Sequence, residues 1–147
     1  MIDFTTYEEV LLGDVAEYAR AKQDHIYPAG TSTIQISATR GQVGYLTEPG
    51  GVATKNVAII PQAGINPKYF NIMILRNIDR FRTKYQTGIN IQEHEIGKLP
   101  IQIANTETQQ AIVTLWEFME REEAREVREL EALKKLKANS LGTMFPN

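Results

Sequence analysis

From Asn105 to about Asn139 the chain has neither Gly nor Pro and consists mostly of strong helix formers. One long helix is therefore expected, with Asn105 or Thr106 as N-cap and Glu107 in the first turn, where an acidic side chain complements the helix dipole. At about 1.5 Å per residue it would be roughly 50 Å long, more than so small a domain can cover. Its apolar residues fall into two clusters, Ile112, Leu115, Trp116 and Met119, then Val127, Leu130, Leu133, Leu136 and Leu141. Between them Glu120 to Glu126 is charged on nearly every side. The first cluster is expected to pack on the preceding domain and the second to seek a partner helix. Gly142 to Asn147 reads as a helix stop and tail.

The preceding residues read as one α+β domain over 1–104. Val10 to Tyr18 reads as a short helical turn capped near Gly13 or Asp14, leading into an alternating strand around Ala16–Ala19. Ser32–Ser37, Val43–Thr47 and Val52–Ile60 read as strands separated by Gly41, Gly44, Pro49, Gly50 and Gly51, which predicts a small, mostly antiparallel sheet. Asn66-Pro67 supplies an N-cap and a first-turn proline for a helix running to Tyr85, with Phe70, Met73, Ile74, Ile78 and Phe81 on its apolar side. Ile89–Ile91 and Leu99–Ile103 are expected to return to the same sheet as short strands.

Composition narrows the function. The 147 residues carry 42% hydrophobic side chains and no cysteine, so a hydrophobic core is affordable while disulfides, thiolate nucleophiles and Cys-based zinc sites are excluded. No apolar run approaches the roughly 18 residues of a membrane span, and Asp3, Glu8 and Glu9 stand where a signal peptide would be basic; a cytoplasmic protein is expected. The net charge of −2 disfavours nonspecific nucleic-acid binding, but the acidic excess lies in the tail: residues 1–100 hold 10 basic and 10 acidic side chains, residues 101–147 hold 6 and 8. No phosphate-binding loop, nucleophile elbow, nuclease carboxylate–lysine cluster or dinucleotide fingerprint occurs, so no catalysis and no cofactor is expected.

Several segments, taken in order, carry a likeness. They are Leu12-Gly13-Asp14-Val15-Ala16-Glu17, Ile36 to Tyr45, Ile65-Asn66-Pro67-Lys68-Tyr69, Gln86-Thr87-Gly88, Leu99-Pro100-Ile101 and Thr108 to Val113. The chain resembles one half of the specificity (S) subunit of type I restriction–modification systems. That resemblance implies a β-rich target-recognition domain at 1–104, a conserved-region helix at 105–141 and a tail at 142–147. It also implies a non-catalytic protein that binds double-stranded DNA and positions methyltransferase (M) and endonuclease (R) subunits on a split site. The sequence departs from the family in having one recognition domain, shorter than usual, which implies a homodimer through an antiparallel coiled-coil-like pairing of Val127, Leu130, Leu133 and Leu136. The alternative is a degenerate S-like interaction protein that binds the methyltransferase subunit without reading DNA.

Candidate DNA-binding residues follow from side-chain chemistry. Arg40 and Gln42 flank Gly41 in a turn; Arg suits guanine and Gln suits adenine at base edges, although ordinary turn chemistry explains the glycine equally well. Arg76, Arg80 and Lys84 recur every four residues and either neutralise phosphates or form the solvated face of their helix. Lys55-Asn56 and Lys84-Tyr85-Gln86-Thr87, mixtures of cation, amide and aromatic, suit backbone contacts or simple surface polarity. Phe118 faces away from Trp116 and is the candidate contact for the methyltransferase subunit. Asn66-Pro67-Lys68-Tyr69 is faintly similar to the Asn-Pro-Pro-Tyr motif of adenine methyltransferases but lacks its second proline, and helix capping accounts for it. His25 and His94 lie far apart in sequence, with no metal-binding motif around either.

Overall fold

A computed structural model describes the backbone of residues 1–144 and the side chains of residues 1–140. By contacts the chain divides into Met1–Val113 and Thr114–Asn147. In the first unit β1 (Glu8–Leu11), α1 (Leu12–Val15) and β2 (Ala16–Arg20) are followed by β3 (Ser32–Gln35), β4 (Val43–Tyr45), β5 (Asn56–Pro61), α2 (Pro67–Tyr85), a 3-10 helix (Glu93–Lys98) and β6 (Pro100–Ile103). The last helix, α3, spans Thr106–Met144.

The main sheet has the order β2-β5-β3-β4, and every neighbouring pair is antiparallel. Side chains alternate between its faces, and the pairings Ser32↔Ile59 and Ile34↔Val57 put these four on one face, all fully buried. The helix α2 covers that face: the buried Asn71 amide donates to Ser32 Oγ (3.1 Å) and to the Gly44 carbonyl (2.9 Å). Around this contact Phe70, Ile74, Ile78 and Phe81 fill the gap between the layers. On the opposite face Ala21, Tyr27 and Ala58, flanked by Leu46, Val52 and Ile60, form a smaller core.

The helix α2 begins where its sequence signal predicts. The Asn66 side chain accepts from the Lys68 and Tyr69 amides at 3.0 and 3.2 Å, and Pro67 occupies the first turn. Replacing Asn66 with Ala removes this cap and is expected to cost about 1 kcal/mol in urea denaturation. An unchanged midpoint would show that solvent satisfies the freed amides.

Three strand expectations need correction. β6 does not return to the main sheet but pairs with β1 as a separate antiparallel two-stranded sheet, Val10 opposite Ile101. The reason is the single turn α1, which redirects the chain: β1 meets β6 on one side of it, and β2 meets β5 on the other. Ile89–Ile91 is not a strand but part of a tight turn in which Thr87 and Asn90 exchange backbone bonds of 2.9 and 3.1 Å. Its alternation reflects one exposed and one buried isoleucine on either side of Asn90. Finally, β5 starts at Asn56, because the Asn56 amide closes a turn onto the Ala53 carbonyl (3.0 Å).

Asn105 caps α3, its Oδ1 accepting from the Thr108 amide at 2.8 Å. The buried Gln109 then ties this helix start to the rest of the unit, accepting from the Asn66 amide (3.0 Å) and donating to the Ala104 carbonyl (2.8 Å). Val113 is buried, whereas Leu115 and Met119, expected to pack on the preceding domain together with Ile112 and Trp116, are exposed. Helical spacing explains the difference: 109, 113 and 116 share one face, and Leu115, Phe118 and Met119 form another stripe. Val127, Leu130, Leu133 and Leu136 are all exposed. Helix α3 continues through Gly142, the expected stop, to Met144. The Leu141 side chain and residues 145–147 lie outside the described residues.

Candidate nucleic-acid interface

One end of the main sheet, where β2 and β3 finish and β4 and β5 begin, gathers Arg20, Arg40, Gln42, Lys55 and Asn56. The C-terminal end of α2 reaches the same place, bringing Arg82, Lys84 and Gln86. Asp14, Glu17 and Glu48 stand at or beyond the opposite end, where β2 starts and β4 finishes. The cations at this end are not unopposed, since Glu93 Oε1 accepts from the Arg20 amide and Asp79 lies 3.7 Å from Arg82. The local arrangement of charge, more than the net −2, decides where an anionic polymer is attracted.

Two turns form the centre of this end, and side-chain amides hold them. Within residues 36–42, Gln35 Nε2 donates to the Ser37 and Ala38 carbonyls (both 3.0 Å), and Gln42 Oε1 accepts from the Arg40 amide (2.7 Å). Residues 86–91 brace the turn from outside. Asn90 Oδ1 accepts from the Ala38 amide (3.0 Å), Gln86 Nε2 donates to the Thr39 carbonyl (3.3 Å), and the Ile89 carbonyl accepts from the Thr39 amide (2.8 Å). Gly41 has φ +86°, and a Cβ there would lie 2.7 Å from Arg82 Cδ, so the arginine side chain closes directly over the glycine.

A third turn joins them. The Lys55 carbonyl accepts from the Ile36 and Ser37 amides at 2.9 and 3.4 Å. Arg20 reaches across, Nε donating to the Thr54 carbonyl (2.8 Å) and Nη2 to Ser37 Oγ (3.2 Å). Its own amide donates to Glu93 Oε1 (2.9 Å).

The candidates from sequence therefore separate. Arg40 and Lys55 are exposed at the sheet end. Gln42 and Asn56 share that end, but their amides serve the fold, Asn56 Nδ2 donating to the Ala53 carbonyl at 3.3 Å. Of the α2 stripe, Arg76, Arg80 and Lys84 are all exposed; Arg76 lies over the Tyr7 ring at 5.9 Å, and Lys84 at 5.3 Å from the Tyr85 centroid. Lys98 approaches the same Tyr85 ring at 5.4 Å and pairs with Glu95 at 2.9 Å, which pushes the lysine pKa up and the carboxyl pKa down. Sequence reasoning missed Arg20, Arg82, Gln86 and Asn90 as supports of this surface. The available signal was the glycine at 41, which calls for a close neighbour or a left-handed backbone.

The remaining motifs have structural roles. Tyr69 is buried, its hydroxyl donating to the Gln102 carbonyl and accepting from the Ala104 amide at 3.2 Å; burial pushes its pKa up. With Asn66 serving as a cap, the Asn66–Tyr69 segment is accounted for by capping and packing. His25 stacks edge-on against Tyr27 (4.5 Å), and exposed His94 lies 3.2 Å from Glu95. Among the described residues no group of three or more His, Cys, Asp or Glu is placed to hold a metal ion, and no helix is long and apolar enough to cross a membrane.

Residues 9–138 match the family model described as the type I restriction modification DNA specificity domain. The chain belongs to this family. No curated protein matches it in sequence. Solved structures share its fold. A chain from a type I R-M system, studied for complex assembly and conformational transition, matches with TM-score 0.70 and 12% identity over 92% of this chain. The type I S subunit from M. genitalium matches with TM-score 0.67 and 13% identity over 97% of the chain. The HsdS subunit from Thermoanaerobacter tengcongensis matches with TM-score 0.64 and 11% identity over 84%. This chain spans 43%, 46% and 39% of those three chains, less than half of each. The likeness expected from the ordered segments is thus confirmed at the level of family and fold.

Proposed function

We propose that this specificity-family chain is a cytoplasmic, non-catalytic half-subunit that reads double-stranded DNA and acts as a dimer within a type I restriction–modification complex. The observation that carries the reading is the family match over residues 9–138. Arg40 and Lys55 at the cationic sheet end, with Arg76, Arg80 and Lys84 along α2, provide the contacts to DNA. Gln42 and Asn56 hold the turns that present them. Counterion release then makes binding fall with salt, with a slope of about −0.9 in log K against log salt for each phosphate neutralised.

The exposed Val127, Leu130, Leu133 and Leu136 seat a second copy of the helix. Each three-residue step rotates by roughly 60° short of a full turn, so this apolar line winds around half the circumference between Val127 and Leu136. Only neighbouring members share a face, and Leu130 with Leu133 forms the centre of the contact. Phe118, in one stripe with Leu115 and Met119, meets the methyltransferase subunit, and the endonuclease subunit joins through that assembly.

The test is fluorescence anisotropy with duplex DNA, using the full chain alone and with its methyltransferase subunit, across a salt series. Salt-sensitive binding is expected. Absence of binding at low salt in both cases removes the DNA-reading role, and methyltransferase binding without DNA protection identifies an interaction protein instead. Sedimentation at micromolar concentration is expected to give a dimer that Leu130→Glu dissociates; a monomeric wild-type chain overturns the pairing.

A further inference from the structure

The 36–42 turn is held more tightly than an exposed loop requires. Its backbone is bonded by the side chains of Gln35, Gln42, Gln86 and Asn90, and Arg82 closes over Gly41. Ala38 sits at φ +48°, a left-handed conformation that costs a non-glycine residue energy and persists only where its surroundings impose it. The neighbouring side chains are tied to the fold. Gln42 gives its carbonyl oxygen to the turn, and Arg82 is bonded to Gln86 (2.8 Å) and lies 3.7 Å from Asp79. The side chain of Arg40 is exposed and makes no contact with an acceptor among the described residues.

We propose that this turn is a preorganised reader presenting Arg40, alone of its side chains, to a guanine edge of double-stranded DNA, and that Gln86 is its positioning residue. The inference rests on the DNA-reading function proposed above and specifies how that surface selects sequence. A guanidinium fork matches the O6 and N7 acceptors of guanine, a geometry that rewards a fixed backbone; a phosphate contact tolerates a mobile one. Holding the turn before binding removes the ordering cost that a flexible loop would pay. Gln86 is the bridge because it accepts from Arg82 Nε on α2 and donates to the carbonyls of Thr39 (3.3 Å) and Gly88 (3.1 Å). Gln42, which sequence chemistry assigns to adenine, is a brace.

The experiment selects duplexes from a randomised DNA library with the full chain, then measures affinity and salt slope on the selected duplex and on single-base variants. Wild type is expected to require a G·C pair at one position. Arg40→Ala and Arg40→Lys should each weaken that preference by about tenfold or more. Gln86→Glu keeps an acceptor for Arg82 but loses both donations to carbonyls. It should erode the same preference, leave the salt slope unchanged and speed amide exchange at residues 38–42. Asn90→Ala, which frees the Ala38 amide, should act in the same direction.

If Arg40→Ala lowers the salt slope by about one unit, Arg40→Lys keeps it and both leave base preference intact, Arg40 is a phosphate contact and the reader is overturned. Faster exchange in Gln86→Glu and Asn90→Ala with unaltered preference overturns the positioning role. A wild-type chain that enriches no duplex over a nonspecific one removes the DNA-reading function itself, and this inference with it.

Discussion

Replacing Phe70 with Ala is expected to lower the unfolding free energy by about 3–5 kcal/mol, as removing a fully buried aromatic ring generally does. Phe70 is 0% exposed and sits at the end of the first turn of α2, the helix that covers the sheet face carrying Ile34, Val57 and Ile59. The ring contributes transfer free energy, and the rigid sheet on one side prevents collapse of the cavity it leaves. Against a total stability of about 5–15 kcal/mol for a domain, the variant should unfold at much lower urea, or fail to accumulate. Phe70→Leu, which keeps most of the volume, should lose a smaller share. A loss below about 1 kcal/mol for Phe70→Ala would mean that the helix does not seal this face of the sheet in solution.

The second large effect is expected at Gln109. Its side chain accepts from the Asn66 amide and donates to the buried Ala104 carbonyl, joining the start of α3 to the cap of α2. Gln109→Ala leaves both backbone groups without these partners; the buried Ala104 carbonyl costs about 1–3 kcal/mol and the half-buried Asn66 amide less, so a total of about 2–3 kcal/mol is expected. Gln109→Glu keeps the acceptor but presents no donor to Ala104 and buries a charge, so it should be at least as destabilising. Thermal or urea unfolding of the full chain measures both. Near-wild-type stability in the alanine variant would show that water replaces the amide.

Gln109 also illustrates what a sequence motif conceals. The Thr108–Val113 segment carried part of the family likeness, yet no periodicity identifies Gln109 as a buried link between helices, because its partners lie 43 and 5 residues away in the chain. Asn66 differs: its cap bonds reach only two and three residues onward, and the Asn-Pro pair disclosed it.

Among the functional candidates the same distinction holds. Arg40 was legible as a cation in a turn, because Gly41 and alternating apolar neighbours mark that turn locally, whereas Lys55 falls within the expected strand run Val52–Ile60 and proved to precede β5. The committed state of the Gln42 amide was not legible, since glutamine in a turn is chemically suited both to a base edge and to its own backbone. Arg82, which the helical wheel sets apart from the Arg76–Arg80–Lys84 stripe, became a support of the 36–42 turn only once α2 was laid parallel to β3.

By itself the sequence determined the two long helices and where α2 starts, that the early strands alternate and which family the ordered segments belong to, but not the 3-10 helix Glu93–Lys98. These properties depend on interactions within a few residues, or on a pattern read along the chain. Tertiary structure alone decided that β6 pairs with β1 apart from the main sheet, that Ile89–Ile91 is a turn and that Gln86 and Asn90 brace a distant loop. Those outcomes depend on partners far away in sequence: alternation can place a residue on a face, but only packing and hydrogen-bond satisfaction choose what that face meets.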